Sequence, residues 1–225
     1  MPSSAGGQLL GGAVANRGRV FRVGDTVRRP VAPCRQATHA LLRHLEAVGF
    51  GGSPRLLGAD ETTETLSWIP GQAARHPLPD WALGDDTLAS VAVLVRGFHH
   101  AADSFGTGAS ARHRWPVPVP TGYRGGRLSH NDLHPGNIIF ADGRAVGRID
   151  FDLAGPGGPI WDLATVARCW VPLVDDPDLP AELAADPDRR LERTALLLDA
   201  YGLAAADRPA VIDALIANHD WTYRI

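Results

Sequence analysis

The segment His130-Asn131-Asp132-Leu133-His134-Pro135-Gly136-Asn137, followed by Ile149-Asp150-Phe151-Asp152, constrains this chain more than any other part of it. Two short strand-like runs, 137–140 and 145–149, lie within it and are joined by a turn at Asp142-Gly143. His, Asp, Asn and Asp side chains are thereby placed on loops beside a small hairpin. Their spacings are two, five and thirteen residues. Each acid taken singly is best explained as a solvated loop residue. At these combined spacings that explanation fails.

The set suits phosphoryl transfer. That reaction asks a protein for positioning and charge neutralisation rather than covalent chemistry. One carboxylate must orient an acceptor hydroxyl and take its proton. Hard oxygen ligands must hold magnesium against phosphates, and carboxylate and amide oxygens are what magnesium prefers. Asp132, Asn137 and Asp150 supply those groups.

The flanking sequence divides in two. Runs 20–23 and 26–29 read as a hairpin around Gly24-Asp25, 36–48 as a helix with Ala40, Leu41, Leu45 and Val48 at helical spacing, and 55–57 and 65–69 as further strands. Pro70-Gly71 breaks the pattern. Beyond it, 88–102, 161–170, 189–200 and 208–217 read as helices, and 106–126 as an irregular connection. A β-rich lobe over 1–70 and a mainly helical lobe over 71–225 are expected, with a cleft between them.

His130-x-Asp132-x-x-x-x-Asn137 resembles the catalytic loop of aminoglycoside phosphotransferases and choline-kinase-like small-molecule kinases, distant relatives of protein kinases. Ile149-Asp150 resembles their metal-binding segment, and Trp161-Asp162-Leu163-Ala164 the helix that follows it. Leu10-Gly11-Gly12 with Asn16 looks like the phosphate-covering loop, and Leu66-Ser67-Trp68-Ile69-Pro70-Gly71 like the hinge that contacts adenine. The resemblance implies an α+β, protein-kinase-like two-lobe fold. It implies transfer of the γ-phosphate of ATP (or GTP), with Mg2+, to a hydroxyl of a small molecule. Asp132 would be the base, supported by His130, and Asn137 and Asp150 would hold the metal. Gly11, Gly12, Ser67, Trp68 and Ile69 would meet the nucleotide.

Two departures from that pattern stand out. All 22 basic residues are arginine, so the lysine that related kinases carry on the third strand is missing. Arg28 is expected to replace it, although a slip of one residue would present Arg29 instead. No glutamate stands where the following helix should pair with that cation; Thr38 and His39 occupy the region. A catalytically impaired pseudokinase, binding nucleotide or a partner, is therefore the alternative. The alternation His130, Asp132, His134 also admits a metallohydrolase, which leaves Asn137 and Asp150 without a role.

The net charge of −3 argues against a nucleic-acid footprint. No apolar run approaches the roughly 20 residues of a membrane span, and no secretory start is visible, so a cytoplasmic protein is expected. Cys34 and Cys169 suggest neither a disulfide framework nor a metal site. His99-His100 reads as one packed and one exposed residue, since adjacent positions do not share a helix face.

Overall fold

The computed structural model of the chain describes residues 7–10, 19–32, 34–75, 77–106, 112–116, 119–171 and 187–224. Five antiparallel strands form the N-terminal sheet: β1 (Gln8–Leu9), β2 (Phe21–Val23), β3 (Thr26–Pro30), β4 (Leu56–Ala59) and β5 (Thr63–Ser67), in the order β1-β2-β3-β5-β4. Gly24, at φ 59°, supplies the left-handed residue that the tight β2–β3 turn requires. β3 is central, and its register against β5 sets Arg28 opposite Thr65 and Arg29 opposite Glu64. Pro30 closes the strand, where a missing amide donor does least damage.

Helix α1 (Arg35–Ala47) connects β3 to β4. Its buried Leu41, Leu42 and Leu45 join Leu66 of β5 in one apolar cluster with Phe98 and Phe151. The cluster therefore draws residues from both sides of Pro70, and α1 packs against the helical part as well as the sheet. Burial of such side chains is worth roughly 1.5–3 kcal/mol each, so this contact is a substantial tie between the two parts.

The second part contains β6 (Gln72–Ala73), α2 (Asp85–Asp103), β7 (Leu128–Ser129), β8 (Ile138–Ala141), β9 (Arg144–Arg148), β10 (Gly155–Pro156), α3 (Pro159–Trp170), α4 (Pro187–Tyr201) and α5 (Arg208–Thr222). Strands β6, β8 and β9 form one antiparallel sheet, and β7 pairs with β10. The chain crosses from the first sheet to the second through Gly71, at φ 137°. A Cβ there would lie 2.4 Å from the Phe140 carbonyl oxygen, a backbone contact that only glycine permits. Leu88, Val91, Val95, Leu163, Val166, Trp170 and Leu197 bring α2, α3 and α4 into one core beneath the hairpin.

A β-rich first part and a mainly helical second part are what the sequence predicts, and the α+β class is borne out. The four two-residue strands, β1, β6, β7 and β10, escape sequence reading because so short a segment has no period to detect. No helix among the described residues is long and apolar enough to cross a membrane.

Candidate active site

Residues 130–137 connect β7 to β8 and are held from beneath by one carboxylate. Asp162, fully buried in the first turn of α3, accepts the amides of His130 (2.8 Å, Oδ2) and Asn131 (2.9 Å, Oδ1). His99 of α2 stands 3.1 Å from Asp162 Oδ2, and its other ring nitrogen is 2.9 Å from the Tyr201 hydroxyl on α4. Burial alone would raise the Asp162 carboxyl, but the His99 ring and the His130 amide outweigh it and hold it below its ordinary value. Three helices thus fix the base of one loop.

The loop and the turn after β9 each hold one residue in a strained conformation. Asn131 (φ 68°) and Asp150 (φ 64°) are non-glycine residues in the left-handed region, where they persist only because surrounding contacts enforce them. Asn131 Nδ2 donates to the Leu153 carbonyl (2.6 Å), and the His130 ring donates through Nε2 to the Ile149 carbonyl (3.0 Å). Burial and the neighbouring Arg148 guanidinium push the His130 imidazole down to about 4, so the ring is neutral at physiological pH. Just after β10, a Cβ at Gly157 would lie 2.1 Å from Ser129 Oγ on β7 and 3.2 Å from Asn131 Oδ1, so a side chain there would crowd both.

With its foundation locked, the loop presents Asp132. Asn137 Nδ2 donates to the Asp132 carboxylate (2.8 Å, Oδ2) and to its backbone carbonyl (3.0 Å). Partial burial raises the Asp132 carboxyl; His134 opposes that shift, with Nε2 3.9 Å from Oδ1, and Asp150 adds to it. His134 Nδ1 also accepts the Gly136 amide at 3.1 Å, which shapes the turn. The Ile149 amide donates to the Asn137 carbonyl (2.9 Å), tying the segment before Asp150 to the loop. Both hydrogen bonds from the Asn137 side chain use its nitrogen, which orients the amide oxygen away from Asp132. A carboxylate at Asp150 and an amide oxygen at Asn137 are a donor set that fits a hard divalent cation. His130 cannot join such a set, because its ring is turned inward onto Ile149; the metallohydrolase alternation of His130, Asp132 and His134 does not converge. Among the described residues no cluster of three His, Cys, Asp or Glu side chains is arranged to hold a metal ion.

Opposite this loop the register corrects one expectation. Arg28 is exposed, and Arg29 is the buried residue of β3. Alternate residues of a strand face opposite sides, so a shift of one position exchanges them. Arg29 Nε donates to Glu64 Oε1 (2.6 Å), NH1 to Asp150 Oδ1 (2.9 Å) and NH2 to Asp152 Oδ1 (2.5 Å). Burial alone would lower the Arg29 guanidinium, but Asp152, Glu64 and Asp150 outweigh it and hold it well above its ordinary value. A glutamate partner therefore exists, on β5 instead of a helix. Glu64 shares the inward face of β5 with Leu66, and an acid on an apolar face is the signal that would have found it.

Of the hinge residues, the amides of Ser67 and Trp68 donate to the Arg55 (2.9 Å) and Asp25 (2.8 Å) carbonyls. The Arg22 guanidinium lies 4.2 Å from the Trp68 ring centroid. Ile69 packs on β9, where a Cβ at Gly147 would meet its Cδ1 at 2.8 Å. Gly11, Gly12 and Asn16 lie outside the described residues. Arg148, which sequence reading passed over, is fully buried with its guanidinium 3.8 Å from the Phe98 ring centroid. Burial pushes it down to about 9.

The Asp132 carboxylate beside the Asn137 amide, and the Asp150 carboxylate on the Arg29 guanidinium, are the kinds of group that phosphoryl transfer uses. The profile of the phosphotransferase enzyme family matches residues 111–197. The trifolitoxin immunity protein of Rhizobium leguminosarum bv. trifolii is 33% identical over 219 residues, covering 94% of this chain and 80% of that protein. The chain belongs to the phosphotransferase enzyme family. Among solved structures, the amicoumacin kinase hAmiN in complex with AMP-PNP, Ca2+ and Ami matches 90% of this chain and 76% of its own at TM-score 0.66 and 13% identity. An aminoglycoside-3'-phosphotransferase of type VIII matches 92% and 90% at TM-score 0.57 and 19% identity. These likenesses place the chain in the kinase-like fold.

Proposed function

We propose that the protein transfers the γ-phosphate of ATP or GTP to a hydroxyl of a small molecule, with Asp132 as the base. The observation that carries this reading is the convergence of Asp132–Asn137 and Asp150–Arg29 from two parts of the chain. Asp132 accepts the acceptor's proton, so the hydroxyl oxygen attacks as an alkoxide-like nucleophile. Its raised pKa makes it a stronger base than a free aspartate, and Asn137 keeps it aimed. Asn137 and Asp150 hold magnesium, which neutralises phosphate charge when bound.

Arg29 supports the nucleotide phosphates in place of the absent lysine, and the hinge offers its carbonyls and the Ile69 amide to the base. The immunity-protein relative and the antibiotic kinase among the structural neighbours favour an acceptor of the antibiotic or toxin class, in which the hydroxyl is inactivated by added charge. A non-catalytic module is disfavoured, because the missing lysine–glutamate pair that suggested it is replaced by Arg29 and Glu64.

Asp132→Asn is the test at the chemical step. The variant keeps the side-chain shape but cannot take a proton, so turnover on any acceptor found by screening falls by about 10²–10⁴-fold. Nucleotide affinity changes little, since Asp132 faces the acceptor. Turnover within a few-fold of the unaltered protein would remove Asp132 from this role.

A further inference from the structure

Arg29 is aligned by Glu64, and Glu64 is itself held by a third residue. His39 on α1 places Nε2 2.6 Å from Glu64 Oε2, while Arg29 Nε takes Oε1 at the same distance of 2.6 Å. The side chains of His39 and Glu64 are only 9% and 2% exposed, so water does not compete freely for either oxygen. A carboxylate gripped at both oxygens by donors on two different elements cannot turn. Its orientation fixes the plane of the guanidinium, whose remaining nitrogens point at Asp150 and Asp152.

We infer that His39 is a positioning residue for the nucleotide: its Nε2–H locks Glu64, and Glu64 locks the fork of Arg29 toward the phosphate site. This rests on the phosphotransfer reading given above. Without the His39 donor, Oε2 is left buried and unpaired, and the cheapest relief is rotation of Glu64 toward solvent or toward Arg29 in another plane. Either motion carries the guanidinium away from Asp150. The arrangement also links helix position to nucleotide binding. Leu41, Leu42 and Leu45 of the same helix pack in one cluster with Phe98 and Phe151, so a displacement of α1 withdraws the His39 donor from Glu64.

The test is the affinity of the full chain for Mg–ATP, measured by calorimetry with His39→Leu and His39→Gln. Leu removes the donor; Gln returns an N–H at about the reach of Nε2. The expected result is a loss of about tenfold in affinity for His39→Leu, the scale of one buried hydrogen bond to a charged group. His39→Gln should stay within about threefold of the unaltered protein. If His39→Leu does not fold, His39→Ala replaces it in the comparison. Unaltered affinity in a folded donor-less variant would overturn the inference and leave the phosphotransfer reading standing. Equal losses in Leu and Gln would also overturn it, because packing rather than the donor would then be what matters. Absence of Mg–ATP binding by the unaltered protein would overturn both.

Discussion

Arg29 carries three carboxylates, with Glu64, Asp150 and Asp152 all within 2.5–2.9 Å of its nitrogens. Removing the cation would leave those acids buried and facing one another, the costliest way to break an ion pair. Arg29→Ala should lose about 3–5 kcal/mol of folding stability in metal-free buffer. Arg28→Ala, on the exposed face, should stay within about 0.5 kcal/mol. Urea unfolding of the two variants checks this; similar midpoints would show that the buried cluster is not what holds Arg29. At this scale the sequence was only partly legible. Thr26-Val27-Arg28-Arg29-Pro30 announces a strand ending in arginines, but which arginine faces inward depends on pairing with β5, a non-local contact. Glu64 was hidden for the same reason: its partner is a residue 35 positions away in sequence.

The loop of residues 130–137 behaves as an element held from below. Asp162 gives both carboxylate oxygens to the amides of His130 and Asn131, and His99 and Tyr201 brace it from two other helices. Legibility here was better. The spacing of Asp132, Asn137 and Asp150 identifies the loop, whereas the bracing requires three helices to converge and is invisible in any local pattern. His130 adds a pH dependence. It faces Arg148, Asp162 and Asp150 and sits at about 4 in the fold, against an ordinary value of 6.5. The unfolded chain binds its proton first, so this contribution is complete above 6.5 and is lost progressively as pH falls toward 4. Acidification from pH 7 to 5 should cost on the order of 2 kcal/mol from this ring, and the buried His99, also lowered by burial, acts in the same direction. His130→Gln, which can still reach the Ile149 carbonyl, should flatten the slope of unfolding free energy against pH. An unchanged slope would assign the acid sensitivity elsewhere.

The whole molecule is two layered parts tied by α1 and by Arg29. Leu41, Leu42 and Leu45 enter the cluster that contains Phe98 and Phe151, and Arg29 reaches from β3 to Asp150 and Asp152 after β9. Apolar spacing was enough to find α1 through α5, and the Gly24-Asp25 and Asp142-Gly143 turns were enough to find the two hairpins they close. Periodicity could not report that Phe151, the first residue of the short 3-10 turn Phe151–Leu153, would pack against the His130 ring at 4.6 Å between centroids. That contact couples the two loops which the proposed reaction brings together.

The proposed function requires above all that the site bind a nucleotide through a divalent cation held by Asn137 and Asp150. It is tested most directly by calorimetric titration of the unaltered chain with ATP and GTP, in magnesium and then in excess chelator. Binding of one nucleotide per chain in magnesium, weakened at least about tenfold by the chelator, is the predicted result. No binding, or the same affinity with and without the cation, would contradict it.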